Sequence, residues 1–571
     1  MSKAITICSV SNQKNKFNIF KKKLDVIMVP DNIKPHKAYT YINDRTFTYI
    51  YNPIEQLIID KGSYCLGLAD TARGNILSIQ SPVPDGTYAI VRVDNHHIEV
   101  LSDYTGMRTI WLYHDEEYFI ASTSQRMIIS FLGNLKLNND AVRWMLSSGT
   151  LGPENSWDKR IKPIQGNTIV SLDRKNWEIN YESNKRIEIK PKLAEKEWHK
   201  NNFGSALATT ISNMNIDVNN WKLALSGGKD SRCILYYMKN LPGLKTVTWG
   251  TEKSQKQIRG DSAIAKVLAE NCGCKHSFQT TDVSSTGFSL ILQRFIEAGE
   301  GRIDHISGYM DGMQLWKNLF ESGYSIIRGY DALGATERKI TNERQARLTA
   351  DLKLTADYKN SIIPVELEIG EEDLPNYLRR DKTESLSQWR DRLWLNFRTP
   401  VVTTALDDIK VAYVEIVNPL LYKNVVEAIE ILPDGLRSGK SLFTEIVNEM
   451  FPEISYASVA SIEDADEILK RKDIIEIMKQ ELTDSKEKGI LPSPFISNIV
   501  QNVDTGRNIL SFRRKIRNLY RLFAPHFFKK IIERKINYYP MDYRRLALRA
   551  LIVIRVVELF NSDIQESASS Q

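Results

Sequence analysis

Residues 222 to 225, Lys-Leu-Ala-Leu, read as a short apolar strand that runs straight into Ser226-Gly227-Gly228-Lys229-Asp230-Ser231, and the helical run Cys233-Ile234-Leu235-Tyr236-Tyr237-Met238 follows at once. A strand that becomes a helix within a few residues fixes a βα corner. Two glycines at that corner let backbone N–H groups approach an anion closely, and the helix start adds partial positive charge. Ser226 and Ser231 supply hydroxyl donors, Lys229 a compensating charge, and Asp230 a carboxylate where a Mg2+ bridging two phosphates would sit. A Gly-Gly pair alone is an ordinary turn; the strand before it and the helix after it shift the reading to nucleotide phosphate. The string is not a Walker loop, which needs Gly-x-x-x-x-Gly-Lys-Ser/Thr.

Downstream the pattern alternates. Lys245-Thr246-Val247-Thr248-Trp249-Gly250 predicts a strand, 261–271 a helix, 289–298 an apolar helix, and Tyr324-Ser325-Ile326-Ile327-Arg328-Gly329 a further strand. Strands separated by helices imply a doubly wound parallel sheet, whose ligands lie beyond the carboxyl ends of the strands. Three glycine-ended strands (Ser226-Gly227, Trp249-Gly250, Arg328-Gly329) then aim at one crevice. The expected nucleotide-binding set is Ala224, Ser226, Gly227, Gly228, Lys229, Asp230, Ser231, Trp249 and Gly329. From about residue 380 the chain reads mainly helical.

Ahead of this lies a different texture: short β-rich runs such as Phe47-Thr48-Tyr49-Ile50-Tyr51 and Thr87-Tyr88-Ala89-Ile90-Val91, a helix at 139–148 and a closing strand at 168–172. A charged stretch from Lys185 to Lys200 reads as a linker. With 571 residues, about three domains are expected. These are a sheet-rich domain over 1–190, the α/β domain over 196–475 and a helical extension over 476–571 with a short disordered tail.

Five cysteines form no disulfide framework and fit a reducing cytosol. Cys272-Gly273-Cys274 is a helix-ending turn rather than half a metal site. With neither a signal-peptide stretch nor a run of eighteen apolar residues, a soluble cytoplasmic protein is expected. Between Arg507 and Arg555 fourteen Lys/Arg face only Glu533 and Asp542, although the whole chain carries +7. Such a basic end could meet an acidic peptide, lipid or nucleic acid, but its aromatics fall at helical spacing, so a solvated basic helix face is favoured.

Taken together, these pieces resemble the asparagine-synthetase family. The carrying residues are Asp85-Gly86-Thr87-Tyr88-Ala89-Ile90, Leu101 to Arg108, Phe119 to Ser122, Leu225 to Ser231, Thr248 to Gly250 with Asp261 to Ala265, Ile326 to Gly329, Glu415 to Leu421, Leu432-Pro433 and Gly439-Lys440. Coverage is roughly residues 80 to 455. The resemblance implies a degenerate glutaminase-like (Ntn-hydrolase-type) sheet sandwich followed by an ATP-pyrophosphatase domain, an α/β and α+β chain that uses ATP and Mg2+. In such enzymes Ser-Gly-Gly-x-Asp-Ser grips the pyrophosphate of ATP.

The departures matter as much. Glutamine-using relatives carry cysteine directly after the initiating Met, because its thiolate attacks the amide while its own amine is the base. This chain has Ser2, and Cys8 has its amine tied in a peptide bond. Where glutamine-dependent relatives have glutamate after the third strand's glycine, Tyr330 stands. That is similar to the β-lactam-synthetase branch, in which a Tyr–Glu pair deprotonates the attacking amine, and it implies Glu415 as the partner. A tyrosine titrates near 10 unaided, so a partner is required. The second Mg2+ carboxylate is implied at Asp331, out of register by two residues so that Leu333 occupies the usual place, with Glu337 and Asp304 as fallbacks. The late lysine of catalytic relatives is missing after Pro452; Lys440, Lys470 or Lys472 are the substitutes, Lys440 first.

The resemblance therefore implies ATP-dependent amide-bond formation through an acyl-adenylate. The amine is supplied by a peptide or small-molecule substrate, as in lasso-peptide cyclases and β-lactam synthetases, and the setting is natural-product biosynthesis with a precursor peptide as partner. The basic C-terminal region is expected to hold that peptide. Two rivals remain open: a non-catalytic nucleotide-binding sensor or scaffold, and an ammonia-dependent asparagine-synthetase-like enzyme. RNA modification is disfavoured by the preceding sheet domain.

Overall fold

The structure, a computed structural model, describes residues 2–54, 57–71, 74–183, 186–330, 333, 340–359, 372–459, 461, 465–504 and 539–566. The β-rich N-terminal third forms two six-stranded antiparallel sheets. In the first, Lys3–Ser9 is central, paired with Thr46–Tyr51 on one side and Tyr118–Ser122 on the other. Every residue of Lys3–Ser9 is buried, because both faces are covered. Ala4 and Cys8 point into the space between the sheets, against Leu66, Val91 and Val100 of the second sheet. Ile5 and Ile7 point the other way, onto Phe17, Phe20 and Leu24 of the helix Lys14–Ile27. The period-two alternation thus divides one strand between two cores.

The second region is a five-stranded parallel sheet. Its spatial order is Lys275–Thr280, Lys245–Gly250, Trp221–Ala224, Ser325–Ile327, Ile416–Val417, which in chain order is 3-2-1-4-5. All four pairings are parallel. Ile326 and Val247 face one core while Leu223, Ile327 and Val417 face the other, so both sheet faces are covered, as a parallel sheet requires. Successive strands step outward on one side of Trp221–Ala224 and then on the other, so the chain reverses direction at that strand. That reversal is where a doubly wound sheet opens its ligand crevice. The helices expected at 261–271 and 289–298 are present as Asp261–Asn271 and Phe288–Gly299.

The two regions are locked together by polar contacts made at strand and helix ends. Asp85 of the sandwich accepts from the backbone N–H groups of Lys423 (2.7 Å) and Asn424 (3.2 Å), the first two of the helix Lys423–Glu430. It does the work of an N-cap from another part of the chain. Tyr104 donates to Glu430 at 2.7 Å, and the Lys3 ammonium reaches Ala298 O at 2.7 Å and Glu300 at 3.2 Å. Asp103 is wholly buried and accepts from the amides of Tyr88, Thr105, Met107 and Arg108; burial lifts its pKa to about 6 against those bonds.

The C-terminal helix Tyr543–Gln565 is buried along most of its length. Its basic side chains are spoken for: Arg549 bonds Asp304 at 2.7 Å, Arg555 bonds Glu481, and Arg545 bonds Asp466 at 2.6 Å. Near its end Asp563 takes a two-pronged bond from Arg126 of the sandwich. The remainder of the basic stretch, 505–538, lies outside the described residues. Cys272 ends the helix Asp261–Asn271 and Gly273 follows at φ +66°, the turn that the sequence predicts. No helix among the described residues is long and apolar enough to cross a membrane.

Candidate active site

The three glycine-ended strands are immediate neighbours in the sheet, so their carboxyl ends lie side by side. Gly329 lies so close to the helix Lys229–Met238 that an added Cβ would come within 2.8 Å of Ser231 N and 3.0 Å of Asp230 Cβ. Only glycine allows that approach. Trp249, at the end of the neighbouring strand, stands edge-on to Trp316 at 5.5 Å. Ala224 is the last residue of the central strand, in register with Val247.

The Ser226–Ser231 corner has the expected shape and an unexpected set of bonds. Ser226 N donates to Ser231 Oγ at 3.0 Å, Gly227 N to Asp261 Oδ1 at 3.1 Å, and Gly228 N to Ser226 Oγ at 3.2 Å. In this conformation the amides of Ser226, Gly227 and Gly228 are bonded within the protein. A strap formed by 454–459 and Ser461 covers it. Gly227 O accepts from Ala457 N at 3.2 Å, and a Cβ on Gly227 would meet Ala457 Cβ at 2.4 Å. Val459 pairs with Gly260, Thr251 N donates to Ser461 O, and Arg232 holds the carbonyls of Ile454 and Ser455. The Tyr456 ring lies 4.3 Å from the Arg232 guanidinium and 5.5 Å from Lys229 Nζ.

Asp230 was expected to face Mg2+. Instead, Lys440 Nζ bonds both of its carboxylate oxygens at 3.0 Å. Lys440 thus reaches the corner, as the sequence asks of a substitute lysine, but as the partner of the presumed metal carboxylate. Asp331 and Glu337 lie outside the described residues. Asp304, the other fallback, is buried beneath Arg549 and His305, which hold its carboxyl far below the usual range against its burial. Among the described residues no group of three His, Cys, Asp or Glu could hold a metal ion. The described residues alone do not supply a Mg2+ donor set in this arrangement. Lys470 pairs with Glu467 instead, and Lys472 begins the helix Lys472–Asp484.

Beyond Gly329 stands a cluster of buried and half-buried polar side chains. The Tyr330 hydroxyl donates to Asp407 Oδ1 at 3.1 Å and accepts from Arg328 Nη1 at 2.7 Å and Lys410 Nζ at 3.2 Å. Lys410 also bonds Asp407 at 3.2 Å, and Asn418 Nδ2 bonds the other oxygen of Asp407 at 2.9 Å. The expected Tyr330–Glu415 pair is corrected to Tyr330–Asp407. Glu415, 1% exposed, meets Arg108 of the sandwich at 2.8 Å. Burial and the neighbouring Arg328 push the Lys410 ammonium down to about 7, with Asp407 opposing; burial raises the Tyr330 phenol further above its ordinary value.

Asp407, Lys410 and Arg328 are the site residues that sequence reasoning missed. A signal was available: the helix Thr404–Val411, Thr-Ala-Leu-Asp-Asp-Ile-Lys-Val, places two acids and a lysine on a segment whose other residues ask for burial. Charged groups on a helix buried at every position but Leu406 must find partners. Ser2, conversely, is fully buried just ahead of the first sheet's central strand.

No family model matches this chain, and no curated protein does. Among solved structures, the glutamine phosphoribosylpyrophosphate amidotransferase from B. subtilis, complexed with ADP and GMP, is similar over 61% of this chain and 88% of that one, at 8% identity and a TM-score of 0.20. A likeness at that level adds nothing to the geometry above.

Proposed function

We propose that the chain is an ATP-dependent, AMP-forming amide synthetase that activates a carboxylate and joins it to an amine carried by the same peptide or small molecule, without glutamine. The observation supporting this is the strand–Ser-Gly-Gly-Lys-Asp-Ser–helix corner at the reversal point of a 3-2-1-4-5 parallel sheet, with a buried phenol, carboxylate and lysine on the adjoining wall. A carboxylate oxygen attacks the α-phosphorus, the bond to the β-phosphate oxygen breaks, and pyrophosphate leaves. The amine then attacks the acyl carbon, its proton passes to neutral Lys410, and AMP departs. Lys410 suits the role because burial and Arg328 lower its pKa to about 7, the range in which a general base works best. Tyr330 and Asp407 fix its position. Phosphate oxygens entering the corner replace Ser231, Asp261 and Ser226 as acceptors, so the strap must lift before ATP binds.

A second reading, a nucleotide-binding scaffold without chemistry, is favoured by the inward-turned amides and the Lys440–Asp230 bond. ATP–pyrophosphate exchange across a panel of carboxylates separates the two. An adenylating enzyme returns labelled pyrophosphate to ATP; a scaffold binds nucleotide calorimetrically and exchanges nothing. If neither exchange nor binding occurs, both readings fail.

A further inference from the structure

Three lysines are matched residue for residue across neighbouring strands of the parallel sheet, Lys222 with Lys245 and Lys245 with Lys275. Matched residues of parallel neighbours share a sheet face, so three ammonium-bearing side chains form one row on strands about 4.8 Å apart. Tyr324, just ahead of Ser325–Ile327, closes the row. Its ring lies 4.0 Å from Lys222 Nζ and 5.0 Å from Lys245 Nζ, and its hydroxyl accepts from Lys245 Nζ at 3.0 Å. Lys275 is exposed and the other three are half-buried. Among the described residues none of the three lysines forms an ion pair with a carboxylate, and the ammonium groups of Lys222 and Lys275 make no hydrogen bond. The acids of adjoining elements are engaged elsewhere: Glu270 with Lys266 at 3.8 Å, Glu321 with Lys317 at 3.8 Å, and Asp217 with the amide of Asn219 at 2.9 Å. Burial and then Lys245 press the Lys222 ammonium below its ordinary value, while the bond from Lys245 holds the Tyr324 phenol below its own. Like charges side by side repel, a cost that a bound anion removes.

We propose that this amino-terminal edge of the parallel sheet binds a compact polyphosphate anion, either free pyrophosphate or the phosphate chain of a nucleotide. Each ammonium carries three donors, most of them unspent, and the proton of the Tyr324 hydroxyl is uncommitted among the described residues. Consecutive phosphates concentrate their charge at the short pitch of this row. Carboxylates on one face of an extended peptide stand about 7 Å apart, wider than the strands that carry the lysines. The row lies at the strand starts, the opposite end of the sheet from Ser226–Ser231, and shares no residue with that corner or with the Lys410 cluster. It therefore stands independently of the ATP reading.

The test titrates pyrophosphate and ATP separately into the full chain by calorimetry, with EDTA in place of Mg2+ and at low ionic strength, where surface charge is least screened. Saturable binding at about 0.1 mM or tighter is expected. The double variant Lys222→Gln, Lys245→Gln should weaken it about tenfold or more, with a melting temperature unchanged or raised because repulsion is relieved. Lys275→Gln, at an exposed position that the fold does not need, should weaken it about threefold. A drop for both compounds assigns the phosphate chain itself; a drop for pyrophosphate alone assigns the free anion, and for ATP alone a nucleotide. Equal affinity in the wild type and both variants places the ligand elsewhere, the Ser226–Ser231 corner included, and overturns the proposal. So does a lack of saturation up to about 10 mM, or hexaglutamate binding more tightly than either compound through the same lysines, which reassigns the row to an acidic peptide.

Discussion

Two buried carboxylates stand near the last strands of the parallel sheet, and they are used in opposite ways. Glu415 meets the Arg108 guanidinium across the domain junction. Asp407 is shared among Lys410, Tyr330 and Asn418, with Arg328 at 3.6 Å. A one-to-one pair neutralises itself and ties two surfaces together. Burial and the neighbouring Arg328 lower the Lys410 pKa to about 7, and Asp407, shared with Tyr330 and Asn418, only partly opposes them. The first arrangement fastens two regions; the second is the one on which the proposed proton transfer rests.

The sharpest way to break this contrast is Lys410→Met. Amide formation should fall by about 10²–10⁴ while ATP–pyrophosphate exchange persists, measured by product mass and label return in parallel. A loss of exchange to the same degree would mean that the cluster serves binding rather than proton transfer. Arg108→Met is the mirror experiment: Glu415 is left buried without its counter-charge, so chemical denaturation should show about 3–5 kcal/mol lost, with turnover per folded molecule intact. Gly227→Ala comes next. Its new methyl collides with Ala457, so the strap must shift, destabilising by about 1–3 kcal/mol and opening 454–459 to limited proteolysis. Unaltered cleavage in that segment would show that the strap does not press on the corner.

Acidity gives a smaller, graded effect. Lys410 accepts a proton only when neutral, so turnover should climb about tenfold per unit as pH rises toward 7 and level above it. Its folded pKa lies below its unfolded value, so the unfolded chain binds more protons between about 7 and 10.4, and stability relative to Lys410→Met should increase with pH across that window. A flat profile would remove Lys410 as base. The smallest effect is expected from Asp85→Ala, about 1 kcal/mol, the usual loss for an N-cap. Hydrogen exchange should show it as faster opening at Lys423 and Asn424.

Much of the frame was legible in the chain because it is written locally. Lys245–Gly250 and the helices near 261–271 and 289–298 follow from periodicity, and the glycines at 227, 250 and 329 announce close approaches that the structure contains. What the sequence concealed is long-range. Nothing near Tyr330 says whether its carboxylate arrives from Glu415 or from Asp407, since both come from elements that the fold brings up from afar. The strap was hidden for another reason. The segment 454–459 with Ser461 has no periodicity, and its placement follows from packing against Gly227 and Gly250 rather than from any preference of its own. Ser2 and Lys440 lie between these cases: the sequence marks both positions, and only the fold shows one shut away and the other joined to Asp230.

Asp85 gives the sandwich a task that needs no nucleophile. By closing the first amides of Lys423–Glu430 it serves as the missing first residue of a helix that belongs to its neighbour. Cutting the chain near residue 190 would therefore not liberate an intact parallel-sheet half; it would hand over a fragment with a frayed helix and an orphaned Glu415, two defects on one newly wetted surface.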